Sequence, residues 1–187
     1  DNLNKILKSL IIELKRKINN PINNMNLMID DPETLSIYTS VKKNYDKKKI
    51  QKNQIEYLIQ DIKEQILRSN SEIKIAHILV KNFFVDGKPY MGIPVGEICK
   101  DLVIEVQFIC FPKKTIDSLK NLFENYQINI SKVICTNYAK SLLDNDLNNL
   151  SEAGLRAFEG FNMNEVFINP KKLTKVGFFE RLFHIFS

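Results

Sequence analysis

Few side chains in this sequence have the type and spacing that acid–base, nucleophilic or metal chemistry requires. The three cysteines are odd in number, widely spaced and without a Cys-x-x-Cys pair, so they do not form the pattern of a zinc site. The carboxylate pairs Asp30/Asp31 and Asp144/Asp146 fall in predicted turns, where aspartate is common because its side chain bonds the backbone. We therefore expect no metal site and predict buried, reduced thiols at Cys99, Cys110 and Cys135.

Neither of the two histidines indicates a catalytic centre. His77 lies within a predicted strand, which is more typical of a hydrogen-bonded structural histidine than of a general base. His184 lies on the polar side of the last predicted helix. No G-x-x-x-x-G-K-[ST], G-x-G-x-x-G, H-E-x-x-H or G-x-S-x-G motif is present, and the six glycines are scattered. We expect no enzyme, no catalytic residue and no cofactor.

The densest run of charge is in residues 42–52, which hold six lysines and one aspartate. Tyr45 is the one aromatic residue in the run, whereas nucleic-acid surfaces commonly combine basic and aromatic side chains. The whole chain has a net charge of +5 from 27 basic and 22 acidic residues, which is only mildly basic. We predict a solvated basic loop here, and a phosphate-binding surface remains the alternative.

The elements that must position these residues follow from apolar spacing. Intervals of three and four predict amphipathic helices at residues 3–18, 53–67, 113–123 and 137–143 and around Leu155 and Phe158. Alternating or continuous apolar runs predict strands at residues 24–29, 35–41, 73–85, 102–111, 128–136 and 166–168. The turn at Asp30-Asp31-Pro32 predicts that the first two strands form a hairpin.

The last eleven residues carry the sharpest amphipathic pattern. In a helix their six apolar side chains, four of them phenylalanine, fall within an arc of about 160°. A helix of this length measures about 16 Å, too short to span a bilayer but suited to its interface, with preceding lysines near anionic lipid. Packing on the protein core is the alternative. The predicted membrane-binding residues are Phe178, Phe179, Leu182, Phe183, Ile185, Phe186, Lys171, Lys172, Lys175 and Arg181.

An ordered series of short segments resembles the bacterial cell-division protein FtsA, a member of the actin-like family. The match spans residues 72–143 and is similar to the strand-helix-strand-strand insertion of that family, its 1C subdomain. Residues 3–70 resemble the helix-hairpin-helix ahead of the insertion, and residues 177–187 resemble the terminal membrane helix. The segments are Ile78-Leu79-Val80, Phe84-Val85-Asp86-Gly87, Ile93-Pro94-Val95-Gly96, Leu102-Val103-Ile104-Glu105-Val106, Ile128-Asn129-Ile130-Ser131-Lys132-Val133 and Tyr138-Ala139-Lys140-Ser141.

The chain also departs from the FtsA pattern. It has no N-terminal phosphate loop, and it reads Asn149-Leu150-Ser151-Glu152-Ala153-Gly154 where the family has Asp-x-Gly-Gly-Gly-Thr. The ATP-site residues of the family therefore have no counterparts here, and the FtsZ-binding half is missing. The resemblance implies that the insertion contacts FtsA-like copies or other division proteins, and it leaves FtsZ binding open. It also implies attachment to anionic lipid of the inner membrane.

Together these patterns predict an α+β fold with a small three-stranded sheet and one packed helix. The expected units are a helix-hairpin-helix at residues 1–70, the insertion at 71–144, a linker with a short helix at 145–176 and the membrane helix at 177–187. Uncovered apolar edges should be compensated by Leu155, Phe158 and Phe161 or by a homo-oligomer.

The expected function is that of a non-catalytic, membrane-associated adaptor in bacterial cell division. Because there is neither a membrane-spanning run nor a signal-peptide pattern, we expect it in the cytoplasm, peripheral on the inner face of the cell membrane. A PilM-like scaffold for pilus assembly, which would not need the Phe-rich ending, and a basic nucleic-acid-binding protein are the alternatives.

Overall fold

The structure is a computed structural model that describes residues 2–18, 20–143 and 149–167. The predicted α+β class is confirmed. The described helices are α1 (Asn2–Ile18), α2 (Lys52–Ser69), α3 (Lys113–Glu124), α4 (Thr136–Lys140) and α5 (Leu150–Glu159). The described strands are β1 (Asn24–Ile29), β2 (Leu35–Lys49), β3 (Ile73–Val85), β4 (Lys88–Tyr90), β5 (Ile98–Pro112) and β6 (Asn129–Cys135).

The larger sheet is antiparallel and has four strands in the order β2-β5-β3-β4, so the predicted three-stranded sheet is wrong. The short strand β4 escaped prediction because only three of its residues pair, directly after the Asp86-Gly87 turn. Both turn residues have positive φ, 49° and 78°, which glycine tolerates and aspartate adopts more readily than most residues. Strand β5 is central and pairs with both β2 and β3.

The predicted hairpin between the first two strands is also wrong. Strand β1 pairs in parallel with β6, and β2 pairs antiparallel with β5. The turn is present, because the Thr34 N–H donates to the Asp31 carbonyl at 3.0 Å and the Asp31 carboxylate accepts the Glu33 N–H at 2.8 Å. It reverses the chain but sends the two strands into different sheets. Each sheet therefore contains strands from before and after residue 70, and the predicted boundary at residue 70 does not separate the two sheets.

The basic run is mostly strand, so the predicted loop over residues 42–52 is wrong for residues 42–49. Strand β2 continues to Lys49, with an irregularity between Asn44 and Lys48 where the register with β5 shifts. Asp46 and Lys47 have positive φ there, 49° and 60°. Buried Tyr45 holds this half of the strand against the core while the flanking lysines reach solvent.

The two faces of the larger sheet carry two apolar cores. On one face α2 packs through Ile55 and Ile59, in a cluster that includes Phe108. The other face joins Leu79, Ile109 and Phe111 to α3, β6, α4 and α5. A third cluster places Ile11 of α1 beside Phe123, Ile128 and Ile130. The central strand is buried on both sides, which explains its near-continuous apolar sequence.

Helix α5 buries a different face from the expected one. Ala153 and Ala157 are the buried residues of this helix, whereas Leu155 and Phe158 are about half exposed. Phe161, just beyond the helix, is also exposed and lies under the Arg156 guanidinium, 4.9 Å from the ring centre. The expected covering of core edges by these three apolar residues is therefore wrong.

Phe108 gives a test of the core between the sheet and α2. Because this ring is fully buried, Phe108→Ala should lower the free energy of unfolding by about 3–5 kcal/mol in urea titrations. The control is Leu155→Ala at a half-exposed position, with an expected change below about 0.5 kcal/mol. Equal effects of the two substitutions would contradict the packing.

Candidate functional site

A short segment that follows α5 is held against β3. Within residues 162–167, which we call the C-terminal segment, the Asn164 carbonyl accepts the Val80 N–H at 2.9 Å. The Val166 N–H donates to the Ile78 carbonyl at 2.7 Å, and Glu165 forms an isolated antiparallel bridge with Leu79. This is less than the predicted strand at residues 166–168, of which Ile168 lies outside the described residues. The backbone bonds fix the C-terminal segment beside the larger sheet.

Glu165 of this segment is a buried carboxylate with two side-chain partners. Its side chain is 1% exposed. Oε1 lies 2.7 Å from His77 Nδ1 of β3, and Oε2 accepts the Tyr138 hydroxyl of α4 at 2.6 Å. We call these three residues the Glu165 cluster. A buried charge is stable only when its lone pairs are satisfied by donors, and the cluster supplies one donor to each oxygen.

The backbone decides which nitrogen of His77 carries the proton. Nε2 of the ring lies 2.9 Å from the Cys135 amide nitrogen. A backbone N–H can only donate, so Nε2 is the acceptor and Nδ1 carries the hydrogen that is donated to Glu165. Both ring nitrogens are then occupied, and the ring also lies beside Tyr138 at 4.2 Å between centroids. The predicted structural, hydrogen-bonded role of His77 agrees with this geometry, since no nitrogen is left to accept a substrate proton.

Burial dominates the electrostatics around the cluster. It raises the pKa of Tyr138 above its ordinary value, and the hydrogen bond to Glu165 raises it further. Lys132 of β6 lies near enough for the Glu165 charge to act on it, although burial of Lys132 lowers its own pKa overall. The tyrosine is therefore held as a proton donor, which is the state that Glu165 requires.

Lys132 joins the end of α5 to the C-terminal segment. Its ammonium donates to the Ala157 carbonyl at 2.9 Å and lies 4.2 Å from the centre of the Phe167 ring. Gly160 ends α5 with φ of 75°, and a Cβ there would meet the Phe167 ring at 3.3 Å. The positive φ favours glycine at this position, and any other side chain would also press on the Phe167 ring.

A cavity of 440 Å³ lies beside the cluster and is lined mainly by polar residues. Tyr138 reaches both this cavity and Glu165, whereas His77 and Glu165 do not line it. The opposite wall brings in the turn after β1, with Asp30 and Asp31, and the sheet, with Lys81 and Gln107. The charges in the lining are of mixed sign, so the cavity does not favour one charge of ligand.

The described residues show no grouping of histidine, cysteine, aspartate or glutamate that could hold a metal. All three cysteines are buried and free, as the sequence predicts. Burial raises the pKa of the Cys110 thiol to about 11, which makes this thiol unreactive at neutral pH. The Glu165 cluster links the C-terminal segment to β3 and α4.

Sequence reasoning did not single out Glu165. It lies 88 residues from His77 and 27 from Tyr138 in the chain, and no spacing rule relates positions that meet only through sheet topology. The predicted membrane-binding residues lie outside the described residues, as does His184. They are Lys171, Lys172, Lys175, Phe178, Phe179, Arg181, Leu182, Phe183, Ile185 and Phe186. Among the described helices, none is long and apolar enough to cross a membrane.

No protein-family model matches the chain, and no curated protein matches it significantly.

Tyr138→Phe tests whether the cluster stabilises the fold. The variant loses the hydroxyl that donates to the buried carboxylate, and hydrogen bonds to charged groups contribute about 1.5–3 kcal/mol. We expect a loss of that size in the free energy of unfolding, measured by urea titration. Tyr57→Phe, at a residue of α2 that is 70% exposed, is the matched control and should be neutral. A neutral Tyr138→Phe would contradict the role of the cluster.

The raised pKa of Tyr138 also predicts how this difference changes with pH. The unfolded chain loses the tyrosine proton near pH 10, before the folded protein does. The stability contribution is therefore complete below about pH 10 and falls as the pH rises further. The difference in the free energy of unfolding between the wild type and Tyr138→Phe should decrease between about pH 9 and about pH 11 in urea titrations.

The raised pKa of Cys110 affects both proteins equally and cancels in this comparison. A gap that stays constant over the range would contradict the assignment of the proton to Tyr138.

Proposed function

We propose that this protein is an FtsA-like, non-catalytic adaptor of bacterial cell division. In this proposal its α+β domain binds division proteins, and residues 171–187 attach it to anionic lipid on the inner face of the cell membrane. The proposal rests on the resemblance of residues 72–143 to the FtsA insertion and on the Phe-rich, Lys-preceded ending of the sequence.

The observation that supports it best is the fixation of the C-terminal segment. Residues 162–167 are held to β3 by two backbone hydrogen bonds, and the Glu165 cluster anchors the same segment through side chains. The predicted membrane-binding residues begin four positions after Phe167, at Lys171. A tether that leaves a domain from a fixed point limits how far the domain can move from the membrane, which suits an adaptor that must hold a partner there.

Exposed apolar residues on α1 support a role in protein binding. This helix buries Ile11, but Ile6, Leu10, Leu14 and Ile18, which lie four residues apart on one side of it, are 37–51% exposed. Apolar side chains clustered on one exposed helix are typical of a contact surface for another protein. The basic residues of β2 favour nucleic acid less, because Tyr45, the one aromatic residue in the run 42–52, is buried and cannot stack on a base.

Vesicle sedimentation tests the membrane part of this function. The full chain should sediment with vesicles of anionic lipid, weakly with neutral ones, and less as salt increases. Phe179→Glu/Phe183→Glu should abolish sedimentation, because two charges would enter the apolar face of the predicted helix. Phe158→Glu/Phe161→Glu is the matched control, since it changes net charge equally at two exposed phenylalanines of the described domain.

Retained binding by this control and lost binding by the first variant would support the tether. Failure of the wild type to bind anionic vesicles would overturn it. Equal losses in the two variants would overturn it as well, since the effect would then follow the net charge rather than the predicted helix.

A further inference from the structure

Strand β2 forms an edge of the larger sheet. It pairs with β5 on one side, and the described residues provide no strand on its other side. An edge strand presents alternate N–H and C=O groups that can pair with another strand. This edge is 15 residues long, well above the typical strand of about 5–6 residues.

The two halves of this edge differ in how they are protected. Residues 42–49 carry five lysines and the register irregularity, and both are devices by which proteins prevent edge pairing. Residues 35–41, with the sequence Leu-Ser-Ile-Tyr-Thr-Ser-Val, contain no charge and no proline. We call residues 35–41 the open edge. Its composition has high strand propensity, and Leu35 and Tyr38 are 45% and 69% exposed.

We propose that the open edge pairs with the open edge of a second copy of this chain. The pairing is antiparallel about a two-fold axis at Tyr38, and it joins two four-stranded sheets into one. The inference does not rest on the proposed membrane attachment.

The sequence around the axis is complementary to itself. With Tyr38 on the axis, each residue faces the one equally far on the other side, so Leu35 faces Val41 and Ser36 faces Ser40. Apolar cross-strand pairs and pairs of hydroxyl side chains both favour pairing.

A shift of the axis by one residue removes this match. An axis at Thr39 sets apolar Leu35 against charged Lys43. An axis at Ile37 leaves Ser40 and Val41 opposite residues 33 and 34, which precede the strand. The axis at Tyr38 is therefore favoured over its neighbours, because it pairs all seven residues of the open edge. This internal symmetry of the open edge argues for a second copy over an unrelated strand.

Cysteine cross-linking of the full chain tests the register without lipid. Side chains that face each other across antiparallel strands have Cβ atoms about 4.5–5.5 Å apart, close to what a disulfide needs. Tyr38→Cys should give a covalent dimer under mild oxidation. Ser36→Cys and Ser40→Cys should each give none alone but should cross-link when mixed. The native cysteines are buried and give no background.

Tyr57→Cys is the matched control for cross-linking, because native Tyr57 is 70% exposed and native Tyr38 is 69% exposed.

Sedimentation velocity supplies the second measurement. Tyr38→Lys sets two ammonium groups against each other on the axis and should weaken dimerisation by at least about tenfold. Tyr57→Lys, with the same change in net charge, should leave it unaltered, and circular dichroism checks that both variants fold.

A wild type that stays monomeric at high micromolar concentration would overturn the proposal. A dimer that Tyr38→Lys leaves intact would do so too, since its interface would then lie elsewhere. If the monomer instead bound a glutamate-rich peptide along β2, with backbone amide shifts confined to the open edge, the edge would belong to an acidic strand of another protein. That result would also overturn pairing between copies.

Discussion

The arrangement of this protein depends on satisfying one carboxyl group where water does not reach it. The Glu165 side chain is buried, and a buried polar group without hydrogen-bond partners would cost about 1–3 kcal/mol. Its donors come from β3 through His77 and from α4 through Tyr138. The Cys135 amide at the end of β6 donates to the other ring nitrogen and so leaves Nδ1 of His77 as the donor to Glu165. Through these contacts one buried carboxyl group links the C-terminal segment to β3 and α4, and His77 links it to β6.

The central strand sets the second constraint. Strand β5 pairs along its length with β2 and β3 and is covered on both faces. Alternate residues consequently serve two different cores, with Phe108 facing α2 and Ile109 facing the β6 side. The Glu165 cluster belongs to the second face, where α5 contributes only two alanines. The small size of these alanines lets the helix lie close to α4 and β6, and Phe158 remains about half exposed.

Local patterns predicted the elements well, because each is encoded within its own residues. Strands β1 and β3 begin and end where apolar alternation places them, and Pro112 lies directly before α3 as expected. Pairing between strands was not predictable in the same way. The turn at Asp31 indicates that the chain reverses, but it does not say which strand each neighbour will meet. Strand β1 is paired with a strand more than 100 residues away.

The basic run shows a second limit of local reasoning. Five lysines in eight residues are typical of a loop by composition. An edge strand tolerates them because its side chains can reach solvent, either on the exposed face of the sheet or past its edge. Tyr45 is the one residue whose burial marks this run as a strand. That burial could not be predicted without knowing that β5 lies beside it. Glu165 carried no local signal at all, since the donors that make its burial possible are distant in sequence.

The proposed membrane tether and the proposed pairing of the open edge would have a joint consequence. A tether from one copy would attach one domain, and a single short amphipathic helix with a few lysines binds a membrane weakly and reversibly. Two copies joined at β2 would present two tethers on one particle, and the second would bind from a high effective concentration set by the first. Membrane attachment would then depend steeply on protein concentration, although neither the tether nor the edge is strong alone. For the proposed adaptor, this coupling would restrict stable attachment to places where copies are already gathered.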